Sequence, residues 1–306
     1  MAKLKRLLPI IVLTTVVLVS LGSILVVKYG DTINISQLNS QTTDSFPLPI
    51  GSDQSNFWEL VKTLYKPTAV YFKESDVVDA ELDQLVDNEY IRSLRFDSCP
   101  NITGKSLEKI ATLPNLTSLT FLNCDKLTQA DFSLLKKQNK LWKLKINDCD
   151  NITDETIASI AEVKSLTDLS LFGCRQITTK GIEPLTTLRL KSFTIPQDFL
   201  DDNSVEVLTK FKRLVWLYIG FENDEYPHMR KVAQEGDKDE KGNYRPLIKL
   251  TNDGLMKLRA LRSLEFLTLA SCPQITEDGL RQFVKRNRAQ VFNYVDEKED
   301  PVFYIR

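Results

Sequence analysis

The feature that most constrains the fold is a pattern that returns along the chain and is marked by cysteine. Cys99, Cys124, Cys149 and Cys174 lie 25 residues apart, and Cys272 carries the same pattern. Apolar residues recur five and three positions before each cysteine, and 3, 8 and 11 positions after it. A spacing of two is typical of a strand, and a spacing of three is typical of a helix. Each repeat is therefore predicted to form a short strand, a turn and a helix.

Further repeats follow the same pattern without the cysteine. Asp198 and Glu222 occupy the cysteine position in two of them, and an imperfect first repeat carries apolar residues at Val70, Phe72, Val78, Leu82 and Leu85. About eight repeats result. A single repeat cannot bury its own apolar face, so the repeats are expected to stack on one another.

The pattern L-x-x-L-x-L/I-x-x-C-x-x-I/L-T, seen in "LWKLKINDCDNITDETIASIAEV", resembles the cysteine-containing class of leucine-rich repeat from Ile91 to about Ala289. The resemblance implies an α/β solenoid with a curved parallel sheet inside and helices outside. This class is best known from F-box/leucine-rich-repeat substrate receptors of ubiquitin ligases and also occurs in bacterial proteins. The segment before the repeats, "FPLPIGSDQSNFWELVKTLYKP", has a Leu-Pro and one predicted helix, which is shorter than a three-helix F-box. A cytosolic ligase adaptor is therefore an alternative to a binding module of another kind.

The N-terminal segment predicts one transmembrane helix. Residues 7–27, "LLPIIVLTTVVLVSLGSILVV", carry no charge, and as a helix they would span about 31 Å at about 1.5 Å per residue. Lys3, Lys5 and Arg6 precede the segment, so residues 1–6 are predicted to be a short cytoplasmic tail, with the repeats on the extracytoplasmic side of the membrane. A cleaved signal peptide, which would leave a secreted protein, is the alternative.

Composition and spacing predict the remaining domain boundaries. Residues 28–54 are rich in Ser, Thr, Asn and Gln and are predicted to be a flexible tether. Residues 55–90 would form an N-terminal cap and the imperfect first repeat, residues 91–290 the repeats, and residues 291–306 a C-terminal cap. One repeat carries an insertion at about 223–249, and loops of this length are usually functional or disordered.

The repeated cysteines and the N-I-T sequons are predicted to be structural. Because the cysteines occur once per repeat, they form a column rather than the cluster of about four ligands that zinc needs. Adjacent strands lie close enough for a disulfide, but stacked side chains point the same way, which favours reduced thiols in the core. In the sequons of Asn101 and Asn151 the Ile is expected inside and the Thr at a helix start, whereas Asn34 in the tether is the more credible glycosylation site.

The sequence gives no indication of catalysis, a cofactor or a nucleic-acid interface. Gly-x-Gly-x-x-Gly, phosphate-loop, Gly-x-Ser-x-Gly and His-x-x-x-His motifs are all missing, and His228, inside the insertion, is the only histidine. A hydrolase that uses His228 is the second alternative. The formal net charge of −1 lacks the excess of basic residues typical of nucleic-acid binders. We therefore predict no enzyme activity, no metal and no small-molecule substrate.

A protein partner is predicted to bind the concave face of the sheet. Residues that alternate with the buried strand positions point to that face. Early repeats place polar and charged side chains there, and later repeats place aromatic ones, which are typical of binding hot spots. The predicted partner-binding residues are Arg95, Lys143, Lys145, Phe172, Trp216, Tyr218, Phe221 and Phe266. The insertion would act as a lid or second contact surface, or else cover the aromatic residues as a local core.

Overall fold

The structure, a computed structural model, describes residues 24–29, 32–37, 68–127, 131–195, 200–219, 248–270, 272, 274–285, 289–294 and 303–305. The chain divides into two compact units, Met1–Ala130 and Asp131–Arg306. Both units contain the strand–turn–helix repeat.

The first unit pairs an antiparallel hairpin with a run of parallel strands. Strands β1 and β2 are antiparallel, and β2, β3, β4 and β5 are parallel in chain order. The strands are β1 Ile24–Tyr29, β2 Thr32–Gln37, β3 Ala69–Lys73, β4 Ser93–Asp97 and β5 Ser118–Leu122. A 3₁₀ helix η1, Asp79–Leu85, follows β3, and helix α1, Ser106–Ile110, follows β4.

The second unit continues the same arrangement and ends in an antiparallel strand. Strands β6 to β8 pair in parallel, as do β8 to β11, and β12 pairs with β11 antiparallel. The strands are β6 Lys143–Asn147, β7 Asp168–Ser170, β8 Ser192–Ile195, β9 Trp216–Ile219, β10 Phe266–Ala270, β11 Gln290–Tyr294 and β12 Phe303–Ile305. The helical segments are η2 Phe132–Lys137, α2 Asp154–Ile160, α3 Thr179–Ile182, η3 Glu183–Thr187, α4 Val205–Leu208, α5 Asn252–Lys257, η4 Leu258–Ala260 and α6 Glu277–Val284.

The core of each unit lies between its sheet and its helices. The apolar positions that recur before and after the cysteine are almost completely buried, and the cysteines are buried with them. In the first unit the rings of Phe72, Phe96 and Phe121 form a stack with centroids 5.2 Å apart at each step. Parallel strands that each lead into a helix on the opposite side of the core are the architecture that the leucine-rich-repeat resemblance implies.

A residue with positive φ ends each strand of the early repeats. Glu74, Ser98, Asn123, Asp148 and Gly173 have φ between 47° and 71°. The amide groups of Glu74, Ser98 and Asp148 each donate to a carbonyl of the next repeat, at 2.8 to 2.9 Å. This left-handed residue turns the chain from the sheet towards the helices. Four of the five directly precede a cysteine and are Ser, Asn, Asp or Gly. A small or polar residue just before the cysteine therefore marks this turn in the sequence.

Two sequence-based expectations differ from the described elements. Residues 7–23 of the predicted transmembrane helix lie outside the described residues, but its last four residues, 24–27, belong to strand β1. This end is rich in β-branched Ile and Val, which favour strands. Residues 32–37 of the predicted tether form β2. Over the ranges that the structure describes, no helix is both long and apolar enough to cross a membrane.

A smaller difference concerns the first repeat. Val78, expected in the core, is 40% exposed, and its neighbour Val77 is buried instead. Val78 is the N-cap of η1 with an extended backbone, and its amide donates to the Glu81 carboxylate at 2.9 Å. Val77 therefore takes the buried position five residues before Leu82, as Ile152 does before Ile157, and the expectation for Val78 was wrong by one residue.

Candidate functional site

The candidate site is the face of the second unit's sheet that points away from its helices. The strand register places the first residue of each strand in one row, in the order Lys143, Asp168, Ser192, Trp216, Phe266 and Gln290. We call these residues the first row. A second row two residues further along the strands contains Lys145, Ser170, Thr194, Tyr218 and Thr268. The first row thus runs from charged to small to aromatic side chains.

The aromatic end of the first row is built by Trp216 and Phe266. Their rings stack with centroids 5.6 Å apart and planes 10° from parallel. The Trp216 side chain is nevertheless 38% exposed, and Phe266 and Tyr218 are partly exposed. Tyr218 follows Trp216 by two residues and lies on the same face. The three aromatic residues expected to group together therefore lie on adjacent strands.

The charged end of the first row carries an ion pair. The Lys143 Nζ lies 3.9 Å from the Asp168 Oδ2, and their side chains are 25% and 19% exposed. In the next rows the Ser170 hydroxyl donates to Asn147 Oδ1 at 2.7 Å. Neighbouring parallel strands lie about 4.8 Å apart, so these side chains contact and shield one another.

Two predicted binding residues have almost no solvent-exposed surface. Phe172 is 1% exposed and Lys145 is 2% exposed, so neither presents a side chain to solvent. Strand β7 ends at Ser170, and Phe172 lies in the turn that follows it. The alternation of inward and outward side chains, on which the prediction for Phe172 rested, no longer holds there. Lys145 lies in the second row, which is more closely packed than the first.

Arg95 lies in the first unit, within a cluster of polar and aromatic groups. Its guanidinium carbon is 4.7 Å from the centre of the Tyr71 ring, and its Nη2 is 3.4 Å from the Asp97 Oδ2. The Tyr71 hydroxyl donates to the same Asp97 oxygen at 2.6 Å. Burial, with this hydrogen bond, raises the pKa of the Tyr71 phenol, which stays protonated as the donor. Arg95 is thus held by groups of its own unit.

Other candidates fall outside the described part of the chain. These are Phe221, His228 and residues 223–247 of the insertion. The last two residues of the predicted insertion are described, and Ile248 is buried while Lys249 forms a bridge with Asp201. The insertion therefore returns to the repeat array at Ile248.

The cysteine thiols make contacts between repeats that the sequence did not predict. The Cys99 Sγ lies 3.5 Å from the Phe72 carbonyl, Cys124 Sγ 3.9 Å from the Phe96 carbonyl, and Cys174 Sγ 3.2 Å from the Ile146 carbonyl. These three thiols thus lie against the strand of the preceding repeat, and Cys124 Sγ also lies 3.2 Å from the Leu122 carbonyl of its own repeat. All five cysteines are buried as thiols and not as disulfides.

The sequon asparagines in the first unit also make contacts between repeats. The Asn101 Nδ2 donates to the Asp76 carbonyl at 3.3 Å, and the Asn115 Nδ2 donates to the Glu89 carbonyl at 2.7 Å. Both amides therefore link two neighbouring repeats, in agreement with a structural role for Asn101.

Sequence reasoning missed Asp168 and Ser192 as members of the candidate face. Both lie six positions before a cysteine position, as Lys143, Trp216 and Phe266 do. The same spacing identifies both positions, but an Asp or a Ser does not by itself indicate a binding hot spot as an aromatic residue does. They define the surface beside Trp216.

Comparison with known proteins gives fold-level likenesses at low identity. No protein-family model matches the chain, and no curated protein matches it significantly. A chain of the yeast Rad7 and Elc1 complex is 16% identical, with a TM-score of 0.49, and the match covers 78% of this chain and 58% of that one. A Listeria monocytogenes internalin, InlF, is 19% identical, with a TM-score of 0.37 and coverage of 77% and 76%.

A third similar structure is the Toll and Spatzle complex from Drosophila. That match is 14% identical, with a TM-score of 0.47, and covers 89% of this chain and 32% of the other. This chain thus spans 58% of the matched chain in the Rad7 and Elc1 complex, and 32% of the matched chain in the Toll and Spatzle complex.

Proposed function

We propose that the protein is a non-enzymatic protein-binding module whose main contact is the aromatic end of the first row. The observation that supports this is the stacked Trp216–Phe266 pair, which keeps a partly exposed indole on a sheet face with Tyr218 beside it. Exposed Trp and Tyr residues on a rigid surface are enriched at binding hot spots because they bury much area with little loss of side-chain entropy.

The geometry favours a preformed site. Stacking on Phe266 restricts the Trp216 side chain before any partner arrives, so less conformational entropy is lost on binding. Both residues lie within strands that are hydrogen-bonded on each side, since β9 pairs with β8 and β10, and β10 pairs with β9 and β11. The insertion follows β9 directly in the chain, and we include it in the proposal as a second contact surface.

Affinity capture with the full chain tests this proposal. Trp216→Ala and Phe266→Ala should each weaken capture of a partner at least about tenfold, as expected for the loss of a hot-spot residue. Trp142→Ala is the matched control, since Trp142 is 47% exposed but precedes β6, away from the aromatic end of the row. If Trp216→Ala folds normally and captures the same partners as Trp142→Ala, the proposal is wrong.

We further propose that residues 7–23, without the four residues that belong to β1, anchor the protein in a membrane with the repeats on the extracytoplasmic side. The support is the run of uncharged residues after Lys3, Lys5 and Arg6. Residues 7–23 alone would span about 26 Å as a helix, close to the minimum for crossing a bilayer. A lysine at the centre of the segment, Val17→Lys, should release the chain from membranes on alkaline extraction, whereas Val17→Leu should not. Extraction of the unaltered chain under the same conditions would contradict the anchor.

A further inference from the structure

The edge of the second unit's sheet at which β8, β9 and β10 begin carries a group of exposed basic residues. Each of these strands is entered from a loop that follows a helical segment, η3, α4 or η4. The three loops contribute Arg189 and Lys191, Arg213, and Arg262, and all four residues are exposed. We call these four residues the basic rim.

Backbone and side-chain hydrogen bonds hold the basic rim next to the aromatic end of the first row. The Lys191 carbonyl accepts from the Trp216 amide at 2.8 Å. The Ser263 hydroxyl donates to the Lys212 carbonyl at 3.2 Å, so the loop after η4 lies against the loop after α4. The fold therefore fixes the loops of the rim beside the site proposed above.

Within the described part of the chain, no ion pair neutralises the basic rim. Other exposed lysines of this unit do pair, since Lys210 Nζ lies 2.5 Å from Glu183 Oε1 and Lys257 Nζ lies 3.6 Å from Glu206 Oε1. One acid, Glu265, lies at the same edge, directly before β10. Because clustered positive charges attract carboxylates over several ångströms, this edge is complementary to an acidic ligand.

The repeat itself does not require a base at this edge. Three of the four rim residues lie nine or ten positions before the cysteine position of their repeat. In the repeats of Cys99 and Cys124 the same positions hold Glu89, Tyr90, Pro114 and Asn115. Those repeats form the same strand and turn without a base there, so the charge of the rim is not explained by the fold.

We propose that the basic rim binds an acidic segment of the protein partner that packs on Trp216. The inference rests on the proposed function, since it names the chemistry of that same partner. Neighbouring parallel strands lie about 4.8 Å apart, so β8 and β10 are separated by about 9.6 Å, which an extended peptide covers in about three residues. A short run of Asp or Glu therefore reaches all three loops. Aromatic residues at the centre of an interface and polar or charged residues at its border are a common arrangement, in which border charges set the association rate and its dependence on salt.

A protein segment suits this edge better than a nucleic acid does. A nucleic-acid strand carries a phosphate at every nucleotide, so its backbone would approach Glu265 as well as the basic rim. A peptide can place carboxylates against the rim and a neutral residue beside Glu265.

Fluorescence anisotropy with the full chain in a neutral detergent tests the rim. The probes are a decaglutamate peptide, a decaglutamine peptide and a decathymidylate, all with the same uncharged dye. The charge-reversal variant is Lys191→Glu with Arg213→Glu. Its matched control is Lys105→Glu with Lys180→Glu, which changes the net charge equally at exposed residues outside the rim. Circular dichroism of each variant checks that the fold is retained.

The decaglutamate should bind at least about fivefold more tightly than the decaglutamine at about 50 mM salt, and this preference should shrink at about 300 mM. Charge reversal at Lys191 and Arg213 should remove the preference, because two attractions become two repulsions. The control should lose less than about half of the binding constant, since its charges lie away from the rim. Lys191→Gln with Arg213→Gln, a milder change, should weaken decaglutamate binding by about threefold.

Three results would overturn the inference. The first is equal binding of the decaglutamate and the decaglutamine. The second is equal weakening by the charge-reversal variant and its control, which would show an effect of net charge alone. The third is tighter binding of the decathymidylate than of the decaglutamate, which would assign the rim to a nucleic acid.

Partner capture by Trp216→Ala separates this inference from the proposed function. If Trp216→Ala loses capture while the decaglutamate fails to bind, the inference fails and the proposed function stands. If capture persists in Trp216→Ala, the proposed function fails, and the assignment of the rim to that partner fails with it even where the decaglutamate binds.

Discussion

At the scale of single residues, the turns that follow β3 to β7 each contain a left-handed backbone position. Gly173 occupies it after β7 with φ of +71°, and Asp148 occupies it after β6 with φ of 52°. A Cβ on Gly173 would lie 2.0 Å from the Asp148 Oδ1 and 3.1 Å from the Asp148 Cα. The two turns are therefore packed directly against each other, and glycine is required at one of them.

Gly173→Ala should destabilise the protein by about 1–3 kcal/mol, because alanine is strained at this φ and its methyl group displaces Asp148. The measurement is the free energy of unfolding in denaturant. Asn123→Gly is the matched control, since Asn123 holds the same turn position with φ of 49°. Glycine adopts that conformation readily, so the change there should stay below about 1 kcal/mol. Equal stability of Gly173→Ala and the unaltered protein would contradict the role of this packing.

Asp148 is expected to make stability depend on pH. Burial raises the pKa of its carboxyl from the ordinary value of 3.8 to about 6, against the opposing effect of Arg175. Below about pH 4 the group is protonated in both folded and unfolded chains, and its contribution to stability is fully present. That contribution is lost as the pH rises through about 6, because the carboxyl of the unfolded chain loses its proton at a lower pH than the carboxyl of the folded chain does. The shift corresponds to about 3 kcal/mol.

Asp148→Asn should therefore be more stable than the unaltered protein at pH 7.5, by up to about 3 kcal/mol, and similar to it at pH 4. Asparagine also tolerates positive φ, so the turn is kept. Denaturant unfolding of both proteins across this range gives the difference directly. Asp150→Asn is the control: it retains Asp148, so the pH dependence should remain. A difference that does not change with pH would show that Asp148 is not the group involved.

At the scale of elements, neighbouring repeats are linked by hydrogen bonds between an acidic or amide side chain of one repeat and a threonine of the next. The Asp154 carboxylate, in the first turn of α2, accepts from both the amide and the hydroxyl of Thr178, the N-cap of α3, at 2.8 and 2.6 Å. The pairs Asp79–Thr103, Asp202–Thr251 and Asn252–Thr276 repeat this link. Gly181, Gly254 and Gly279 leave room for the acid or amide. We call these contacts the helix clamps.

Thr178→Val should destabilise the protein by about 1–2 kcal/mol, because it removes the hydroxyl that caps α3 and bonds to Asp154. Thr209→Val is the control, since the partly exposed Thr209 hydroxyl donates to the Glu206 carbonyl in its own turn and not to a neighbouring repeat among the described contacts. A double-mutant cycle with Asp154→Ala isolates the coupling between the two repeats. Additive effects of Asp154→Ala and Thr178→Val would contradict the clamp.

The buried cysteines, which contact the neighbouring repeat, are expected to be unreactive in the folded protein. Burial raises the pKa of Cys99 to about 11 and those of Cys124 and Cys174 to about 12, so the thiols remain neutral at physiological pH. Since the thiolate is the reactive form, a thiol reagent at pH 8 should modify almost none of them in the folded protein and five in denaturant. Trp142→Cys, at an exposed site, should react at once and raise the total to six. A total well below five in the unaltered, denatured protein would indicate disulfides.

At the scale of the whole molecule, the repeat was predictable from the sequence, and the exposure of residues on the sheet face that points away from the helices was not. The apolar positions around Cys149, including Leu144, Ile152 and Ile157, are buried because their spacing alone decides which side they face. Lys145 and Phe172 followed the same alternation on the opposite face and are nevertheless buried. Their exposure depends on neighbouring strands and on where a strand ends, which spacing within one repeat does not contain.

The ends of the array raise a related problem, because an unpaired strand edge promotes aggregation. In the second unit β12 pairs antiparallel with β11, through Val291 to Ile305 and Asn293 to Phe303, and so covers the edge of the last parallel strand. Truncation after residue 302 removes β12 and leaves that edge of β11 without its partner strand. We expect this variant to form concentration-dependent oligomers in size-exclusion chromatography with light scattering. Removal of Arg306 alone, outside β12, should leave the elution unchanged. If the truncated chain elutes as the full-length protein does at every concentration, β12 is not the element that protects the edge.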